Sequence, residues 1–379
     1  KAGRHGQPGS IDGFARRPGT YITRSYELAV GDGNVTDQAG AAGAIENSAV
    51  FDDDIACFFI AHGRQVRGAP FCIQALAQID KSPYNADLPR GADMSQTFTA
   101  ACVQNDASID ANETMTRAED LMRDAAGQGA DLICTPEFFS CLDTQISGLE
   151  TNPHREADHP ALPRFQALAQ ELDKWVLLGS LAVIGEGADD RLFNRSFLID
   201  AGGNVVQRYN KIHLFDIDLD KDEVYRESSQ FQPGTEAAIA PTRWGLLGMT
   251  ICYDVRFPHL YRDLAKAGAS FLTVPAAFTK RTGEAHWHAL LRSRAIETGS
   301  FVIAPCQSGV HGVGATYGHS LIIDPWGNVL ADGGEGEGIV LAEIDTALVA
   351  KARARIPALK HDRDYAAPQV PVELAAARE

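Results

Sequence analysis

The chain has 379 residues, of which 45% are apolar and 22% are charged, a composition typical of a folded globular protein. Acidic residues outnumber Lys and Arg by 50 to 34, and the net charge of -16 argues against a large basic surface for nucleic acid or anionic lipid. Its apolar runs fall well short of the roughly 20 residues that a membrane helix needs. We therefore expect a small-molecule substrate and neither a nucleic-acid nor a membrane partner. Because the chain opens without the pattern of a secretory signal, we also expect a cytoplasmic location.

Seven cysteines are spread along the chain without a Cys-X-X-Cys pair. An odd number at irregular spacing favours neither a disulfide framework nor a zinc knuckle, so we expect reduced thiols. Cys134 and Cys306 lie in apolar strand-like runs and are predicted to be core residues. The glycosylation sequons at Asn112 and Asn194 carry little weight in a chain without a secretory signal.

The first 93 residues differ in composition from the rest of the chain. They are rich in Gly, Ala and Asp, show no sustained helical or strand period, and contain no methionine, whereas all four methionines lie at position 94 or later. We predict that residues 1–93 are a poorly ordered extension or an over-long reading frame, that 94–366 form the folded domain, and that 367–379 are a tail. The alternative is a small accessory segment packed on the main domain.

From Met94 onward the pattern alternates between strands and helices. A strand begins at Phe98, and Asp110 is placed to cap a helix whose apolar residues recur at i, i+3, i+4 and i+7 before Gly127 or Gly129 ends it. A second helix carries Phe165 on its apolar face. The strands predicted next are 131–135, 176–183, 192–199 and 205–209, with a turn at 201–204 between the last two.

The second half of the chain repeats this plan. Residues 129–136 and 268–275 each combine Gly-Ala, a buried strand and a closing proline, and each follows an amphipathic helix. Two such halves would each form a sheet with helices on one face, and the bare sheet faces would pack together. The sequence thus predicts an α/β fold, a four-layer α-β-β-α sandwich. The alternative is that Gly-Ala is a common junction between helix and strand.

Two turns and a helix are predicted near the end of the chain. Residues 325–328 are predicted to form a hairpin turn, and a closing helix starts at Asp345 and ends near Arg355. The glycine-rich run 333–338 is also predicted to be a hairpin. It is not a phosphate loop, because neither Lys-Ser/Thr nor a helix follows it.

Reactive side chains stand at the ends of three predicted strands, at Glu137, Lys211 and Cys252. Cys252 ends the strand 246–252 and precedes a helix that begins near Pro258, and a helix N-terminus lowers the pKa of a thiol and favours the nucleophilic thiolate. The alternative is a buried structural cysteine. A thiol nucleophile also needs a base and an oxyanion stabiliser, for which Glu137 and Lys211 are the candidates. Taken singly, each of these two is more often a solvated strand end.

Together the three segments resemble the Glu, Lys and Cys motifs of the nitrilase, or carbon-nitrogen hydrolase, superfamily. The resemblance covers about residues 96–366 and implies the four-layer sandwich, a homodimer or higher homo-oligomer, and a second glutamate that Glu227 matches. The segments that carry it are Thr135–Phe139, Tyr209–Phe215, Ile251–Pro258, His286–Trp287 with Arg292–Glu297, and Tyr317–Ser320 with Asp324–Gly327.

The segment from Cys252 to Pro258 resembles the Nit branch of this superfamily, which includes omega-amidases and amidases of deaminated glutathione. In that branch the substrate's carboxylate and its neighbouring groups are held at positions that match Arg256, Phe278 and Thr282. An arginine offers a carboxylate a bidentate fork.

Two histidines depart from the family pattern, since His259 and His288 stand where glutamate is usual. His288 could alter the choice of substrate or satisfy neighbouring polar groups. His286 and His288 alternate as paired metal ligands do, but two histidines without a carboxylate or cysteine partner are weak evidence. We therefore predict no metal.

The resemblance implies amide hydrolysis without a cofactor. Glu137 would take the proton of Cys252 as the thiol attacks, Lys211 and the Tyr253 backbone N–H would hold the oxyanion, and Glu227 would orient Lys211. A thioester would form, ammonia would leave, and water would release the acid.

Three alternatives are weighed against this prediction. An aliphatic amidase or an N-carbamoyl amide hydrolase would use the same three residues on another substrate. A non-catalytic binding module would have no need of all three. A Cys-His hydrolase with His286 or His319 as its base would leave the Glu and Lys motifs unexplained.

Overall fold

The structure, a computed structural model, describes residues 97–142, 153–185, 191–221, 223–311 and 314–368. The predicted extension 1–93, and the predicted tail beyond residue 368, lie outside the described residues. Within the described ranges, no helix is both long enough and apolar enough to cross a membrane.

The first sheet is built mainly from the N-terminal half of the domain and has the strand order β17-β1-β2-β4-β5-β6. β1 pairs in parallel with β2, which pairs in parallel with β4, and the remaining neighbours along this path are antiparallel. A short β3 pairs with the far end of β4. The strands are β1 Thr97–Gln104, β2 Leu132–Cys134, β3 His154–Arg155, β4 Trp175–Ile184, β5 Leu192–Ile199, β6 Val205–Asn210 and β17 Gly338–Asp345.

The second sheet comes from the C-terminal half and has the order β9-β10-β11-β12-β15-β16. Its pairings run antiparallel, parallel, parallel, antiparallel and antiparallel, which is the same succession as in the first sheet read from β17. Its strands are β9 Ala238–Thr242, β10 Gly245–Met249, β11 Ala269–Thr273, β12 Phe301–Ala304, β15 Leu321–Ile323 and β16 Val329–Asp332. Two small ribbons pair β7 Asp216–Asp220 with β8 Glu223–Arg226, and β13 Val310–His311 with β14 Gly314–Ala315.

The equal succession of pairings supports the predicted relationship between the two halves. Gly129 and Gly268 occupy equivalent places, each between a helix and a central parallel strand. Both have positive φ values, +95° and +103°, which favour glycine over residues with a Cβ. The repeated Gly-Ala thus marks a backbone conformation that both halves need where a helix turns into a strand.

In the part of the chain that the structure describes, five helices accompany the sheets, and their ends follow local sequence signals. The Asp110 carboxylate caps the first helix by accepting a hydrogen bond of 3.0 Å from the Glu113 N–H. A proline opens the third helix, as predicted, and Asp345 accepts from the Ala347 N–H at the start of the last. The helices are α1 Ala111–Gly127, α2 Ala161–Leu172, α3 Pro258–Lys266, α4 His288–Thr298 and α5 Ala347–Arg355, and the single helical turns are Glu156–Asp158, Glu227–Ser229, Cys252–Arg256, Lys280–Thr282, Gly283–Trp287 and Ala358–Lys360.

The alternation of side chains along β1 shows the layers. Ala101 and Val103 pack with buried residues of α1 and α2, whereas Ala100 and Cys102 face the other way and join a core that includes the second sheet. This core also reaches residues of α3 and α4, such as Leu264. The fold is therefore the predicted four-layer α-β-β-α sandwich of the nitrilase type.

Two predicted elements differ from the structure. The strand expected to reach Cys252 ends at Met249, because the chain leaves the sheet to begin a helical turn at Cys252. The glycine-rich run 333–338 is not a hairpin. It crosses from β16 in the second sheet to β17 in the first, where β17 pairs with β1 along eight residues.

Candidate active site

The three predicted catalytic side chains follow strands of both sheets and meet in the interior. Glu137 lies three residues after β2, Lys211 directly follows β6, and Cys252 lies three residues after β10. Their exposed fractions are only 3%, 2% and 5%. Buried ionisable groups are costly unless they are paired, so this convergence points to chemistry rather than to packing alone.

Glu137 is held by hydrogen bonds to both of its carboxylate oxygens. Oε1 accepts from Lys211 Nζ at 2.8 Å and from Asn194 Nδ2 at 2.8 Å, and Oε2 accepts from the Ala277 backbone N–H at 2.9 Å. The next residue, Phe138, has a φ of +51°, an uncommon conformation for a residue with a Cβ. Ala277 follows β11 of the second sheet, so the carboxylate is fixed from both halves of the domain.

Lys211 lies between two carboxylates. Its Nζ donates to Glu137 Oε1 and to Glu227 Oε2, each at 2.8 Å. Asn194 Nδ2 and the Phe215 N–H also donate to Glu227, at 2.9 and 2.6 Å. The predicted partnership of Glu227 with Lys211 is thus present in the geometry.

The charges of this cluster shift the pKa values of its members. Burial alone would lower the pKa of Lys211, but the negative charges of Glu137 and Glu227 outweigh it and raise that pKa well above its usual value. Burial raises the pKa of Glu227, and the Lys211 ammonium opposes that rise. The two glutamates therefore favour the protonated, cationic form of Lys211.

Cys252 opens a helical turn with a φ of +45°, a strained backbone conformation for a residue with a side chain. Burial raises the pKa of its thiol well above the ordinary value, the charge of Glu137 adds to the rise, and Lys211 opposes it. The expected lowering of this pKa is therefore wrong. The turn at Cys252 is only five residues long, and α3 begins only at Pro258, so the effect of burial on the thiol outweighs any effect of a helix N-terminus.

A buried aspartate joins the Lys211 segment to the cysteine turn. Asp254 Oδ2 accepts from the Tyr209 hydroxyl at 2.7 Å and from the Ile251 N–H at 2.9 Å, and Oδ1 accepts from the His213 N–H at 3.1 Å. Because Tyr209 and His213 flank Lys211 in sequence, Asp254 ties the backbone segment of Lys211 to the turn that carries Cys252. Asp254 lies in the segment Ile251–Pro258 that carries the family resemblance, but the sequence alone predicted no role for it.

Asn194 was also missed, since the sequence suggested only a glycosylation sequon there. It lies in β5 with its side chain buried, and its amide touches both glutamates. The sequence feature that could have identified Asn194 is its polar side chain at an inward-facing position of a strand, where apolar residues are usual.

We expect Asn194→Ala to lower kcat by about tenfold to a hundredfold, because both carboxylates lose a donor and shift from their positions. The free energy of unfolding should fall by about 1–3 kcal/mol for the same reason. Product release and urea unfolding measure the two effects. Asn112→Ala, at an exposed position of helix α1, should leave both quantities near wild type. An Asn194→Ala variant with wild-type kcat would contradict this role.

Three of the four predicted substrate-binding residues contact one another, and one of them, Tyr253, directly follows Cys252. The Arg256 guanidinium lies over the rings of Tyr253 and Phe278, with its carbon 5.8 and 5.3 Å from the ring centres. Its Nη1 lies 3.3 Å from Nδ1 of His286. Thr282 is buried in the helical turn that follows, where its hydroxyl lies 2.7 Å from that of Thr279.

The remaining candidates take other places. Cys134 and Cys306 are fully buried, as predicted, and burial raises the pKa of Cys306 to about 12. Cys102, Cys134, Cys252 and Cys306 are free thiols, and Cys57 and Cys72 lie outside the described residues. His259 is exposed and lies edge-on to His213, with ring centres 5.8 Å apart.

This fold and this buried Glu-Lys-Cys cluster define a class of enzyme. Residues 99–354 match the model of the carbon-nitrogen hydrolase family. The chain belongs to the carbon-nitrogen hydrolase family, and it is a hydrolase of carbon-nitrogen bonds other than peptide bonds.

Known proteins narrow the relationship within that family. The chain is 39% identical over 268 residues to a deaminated glutathione amidase of Synechocystis sp., covering 70% of this chain and 97% of that one. It is 37% identical over 272 residues to the human protein of that name, covering 70% and 82%. The names of these relatives confirm the predicted amidase activity.

Solved structures give the same result. The Caenorhabditis elegans NitFhit protein aligns with a TM-score of 0.64 and 32% identity, over 71% of this chain and 66% of that one. Saccharomyces cerevisiae Nit3, a member of branch 10 of the nitrilase superfamily, aligns with a TM-score of 0.63 and 28% identity, over 71% and 97%. The predicted Nit-branch resemblance is therefore confirmed.

Proposed function

We propose that Cys252, Glu137 and Lys211 hydrolyse the amide bond of a small, carboxylate-bearing substrate through a thioester on Cys252. The observation that carries this proposal is the position of Lys211 Nζ, 2.8 Å from a carboxylate on each side, in a buried site that also contains the thiol. An ammonium held in this way costs no reorganisation when an oxyanion forms beside it.

The first half-reaction forms the thioester. Cys252 Sγ attacks the amide carbon while its proton passes to Glu137, and the oxyanion is held by Lys211 and the Tyr253 N–H. The raised pKa of Cys252 supports a base in direct contact with the thiol, because a resting thiol must lose its proton during attack. Glu137 then gives the proton to the leaving nitrogen, and the carbon-nitrogen bond breaks.

The second half-reaction releases the acid. Glu137 takes a proton from water, and the resulting hydroxide adds to the thioester carbon. The carbon-sulfur bond then breaks, and Glu137 returns its proton to the departing thiolate of Cys252. The leaving group of the first step is ammonia for a primary amide and an amine for a substituted amide. Neither step needs a cofactor. A second carboxylate, Glu227, keeps Lys211 in place throughout.

Arg256 is the proposed anchor for the substrate carboxylate. Its guanidinium rests on two aromatic rings one helical turn after Cys252, which leaves N–H groups at its edge for a bidentate contact. The relatives' names favour a deaminated glutathione type of substrate, and an omega-amide of a dicarboxylic keto acid shares the same carboxylate-bearing end. The expected homo-oligomer and cytoplasmic location stay predictions.

The test is a substrate panel read by release of the product acid. It contains deaminated glutathione, an omega-amide of a keto acid, an aliphatic amide, a carbamoyl amine and a nitrile. We expect turnover of the two carboxylate-bearing amides. Arg256→Gln should raise their KM about tenfold to a hundredfold, because a hydrogen-bonded charge pair contributes binding free energy of that size. The effect on kcat should be smaller.

Lys266→Gln provides the matched control, because this cation lies at the exposed end of α3 and pairs with Asp362. Its KM should equal that of the wild type. Faster turnover of the uncharged aliphatic amide, or of the carbamoyl amine, would contradict the proposed substrate class and favour the aliphatic amidase or the N-carbamoyl amide hydrolase.

A further inference from the structure

A second cluster of titratable side chains lies outside the catalytic residues. His288, His319 and Asp332 each offer one nitrogen or oxygen atom within 4.8 Å of the other two. His288 begins α4, His319 precedes β15 by two residues, and Asp332 ends β16. The described fold therefore supplies the carboxylate partner that the sequence around His288 lacks.

The two imidazoles approach opposite oxygens of the same carboxylate. His288 Nε2 lies 3.1 Å from Asp332 Oδ2, and His319 Nδ1 lies 2.8 Å from Asp332 Oδ1. In tetrahedral zinc sites, bonds of about 2.0–2.1 Å place the ligand atoms about 3.3 Å apart. Each His-Asp distance thus needs to open by only a few tenths of an ångström to admit an ion.

The backbone holds these side chains in place. His319 has a φ of +51°, and its N–H donates to the Gly334 carbonyl at 2.7 Å while its own carbonyl accepts from Trp287 Nε1 at 2.8 Å. Its ring stacks on that of Tyr317, with centres 4.4 Å apart. A non-glycine residue in this conformation is strained and is kept there by its surroundings, which is common at functional sites.

The cluster is open to solvent. The side chains of His288, His319 and Asp332 are 35%, 22% and 36% exposed. Solvent therefore reaches the cluster and could supply the remaining ligand.

We propose that His288, His319 and Asp332 bind a divalent transition-metal ion, with Zn²⁺ the best fit to two imidazoles and one carboxylate. This site is independent of the amide chemistry, since it contains none of the three catalytic residues. His288 follows Trp287, whose ring packs against Phe278 with centres 4.7 Å apart. An ion here would fix the start of α4 beside the proposed substrate-binding residues.

The test is a calorimetric titration of ZnCl₂ into the untagged full chain after dialysis against a chelator. We expect one saturable site per chain. His288→Ala and Asp332→Asn should each weaken zinc binding by more than about tenfold. His286→Ala is the matched control, because this histidine precedes His288 by two residues and contacts Arg256 instead; its zinc affinity should equal that of the wild type.

Two further measurements test whether zinc binds at His288, His319 and Asp332 rather than elsewhere on the chain. Zinc should raise the Tm of the wild type and of His286→Ala but not of His288→Ala, and all three should share one Tm without zinc. Bound Co²⁺ should show d–d bands without a thiolate charge-transfer band, which excludes the cysteines as ligands. No saturable binding, equal affinity in all variants, or a thiolate band would overturn the proposal, and none of these results depends on amide turnover.

Discussion

Cys252→Ala is expected to reduce amide hydrolysis to background, a loss of kcat on the order of a million-fold, as for other enzymes that lose a covalent nucleophile. The residual site keeps Lys211 and both glutamates but has no atom that can form the acyl-enzyme. Product release under substrate saturation measures the effect, and thermal unfolding should show that the fold is kept.

The control for this loss is Cys102→Ala. Cys102 is as deeply buried as Cys252 and packs between the two sheets, but it lies in β1 away from the Glu-Lys-Cys cluster. Its alanine variant should lose some stability through the small cavity and retain its kcat. More than about 1% of wild-type kcat in Cys252→Ala would contradict the covalent route.

Lys211→Met is expected to damage stability as well as activity. It leaves Glu137 and Glu227 buried without their shared cation, a loss worth about 3–5 kcal/mol of unfolding free energy. Without the ammonium at the oxyanion, kcat should fall by a factor of at least about 10²–10³. Urea unfolding and product release measure the two losses.

The stability loss should depend on pH. Burial raises the pKa of Glu227, and Lys211 opposes this rise in the wild type. When the lysine is removed, the folded-state pKa lies above the unfolded value, so the folded state binds more protons. Stability is then greatest below the unfolded pKa and is lost as pH rises through the folded pKa. The Lys211→Met variant should therefore be closer to wild-type stability at low pH than at neutral pH.

A double variant checks the cause. Lys211→Met with Glu227→Gln removes one buried negative charge and should regain part of the lost stability, but none of the lost activity. Equal stability of the single and double variants, or a single variant as stable as the wild type, would contradict the proposed electrostatic role of Lys211.

Much of the fold could be predicted because local signals agree with the tertiary structure. Asp110 caps α1 as its position suggested, and Pro258 begins α3. The repeated Gly-Ala junctions predicted two similar halves. Because each sheet had to bury the face that carries no helices, the two sheets were expected to pack against each other. The three catalytic candidates followed from their positions at strand ends and from the family resemblance.

Other features depend on contacts that sequence spacing does not reveal. Asn194 reaches both glutamates because β5 and β6 pair in a particular register, which places it opposite the end of the Lys211 strand. The His288-Asp332 contact joins residues 44 positions apart. The raised pKa of Cys252 could not be read from a nearby helix, because burial and Glu137 decide it.

The thioester is the central claim, and partitioning with hydroxylamine tests it most directly. Several amides with the same acyl group and different leaving amines are hydrolysed in the presence of hydroxylamine, and the ratio of hydroxamate to acid is measured. A common acyl-enzyme on Cys252 predicts one ratio for all of them, because the leaving group has gone before the nucleophiles compete. A ratio that changes with the leaving amine would contradict the thioester.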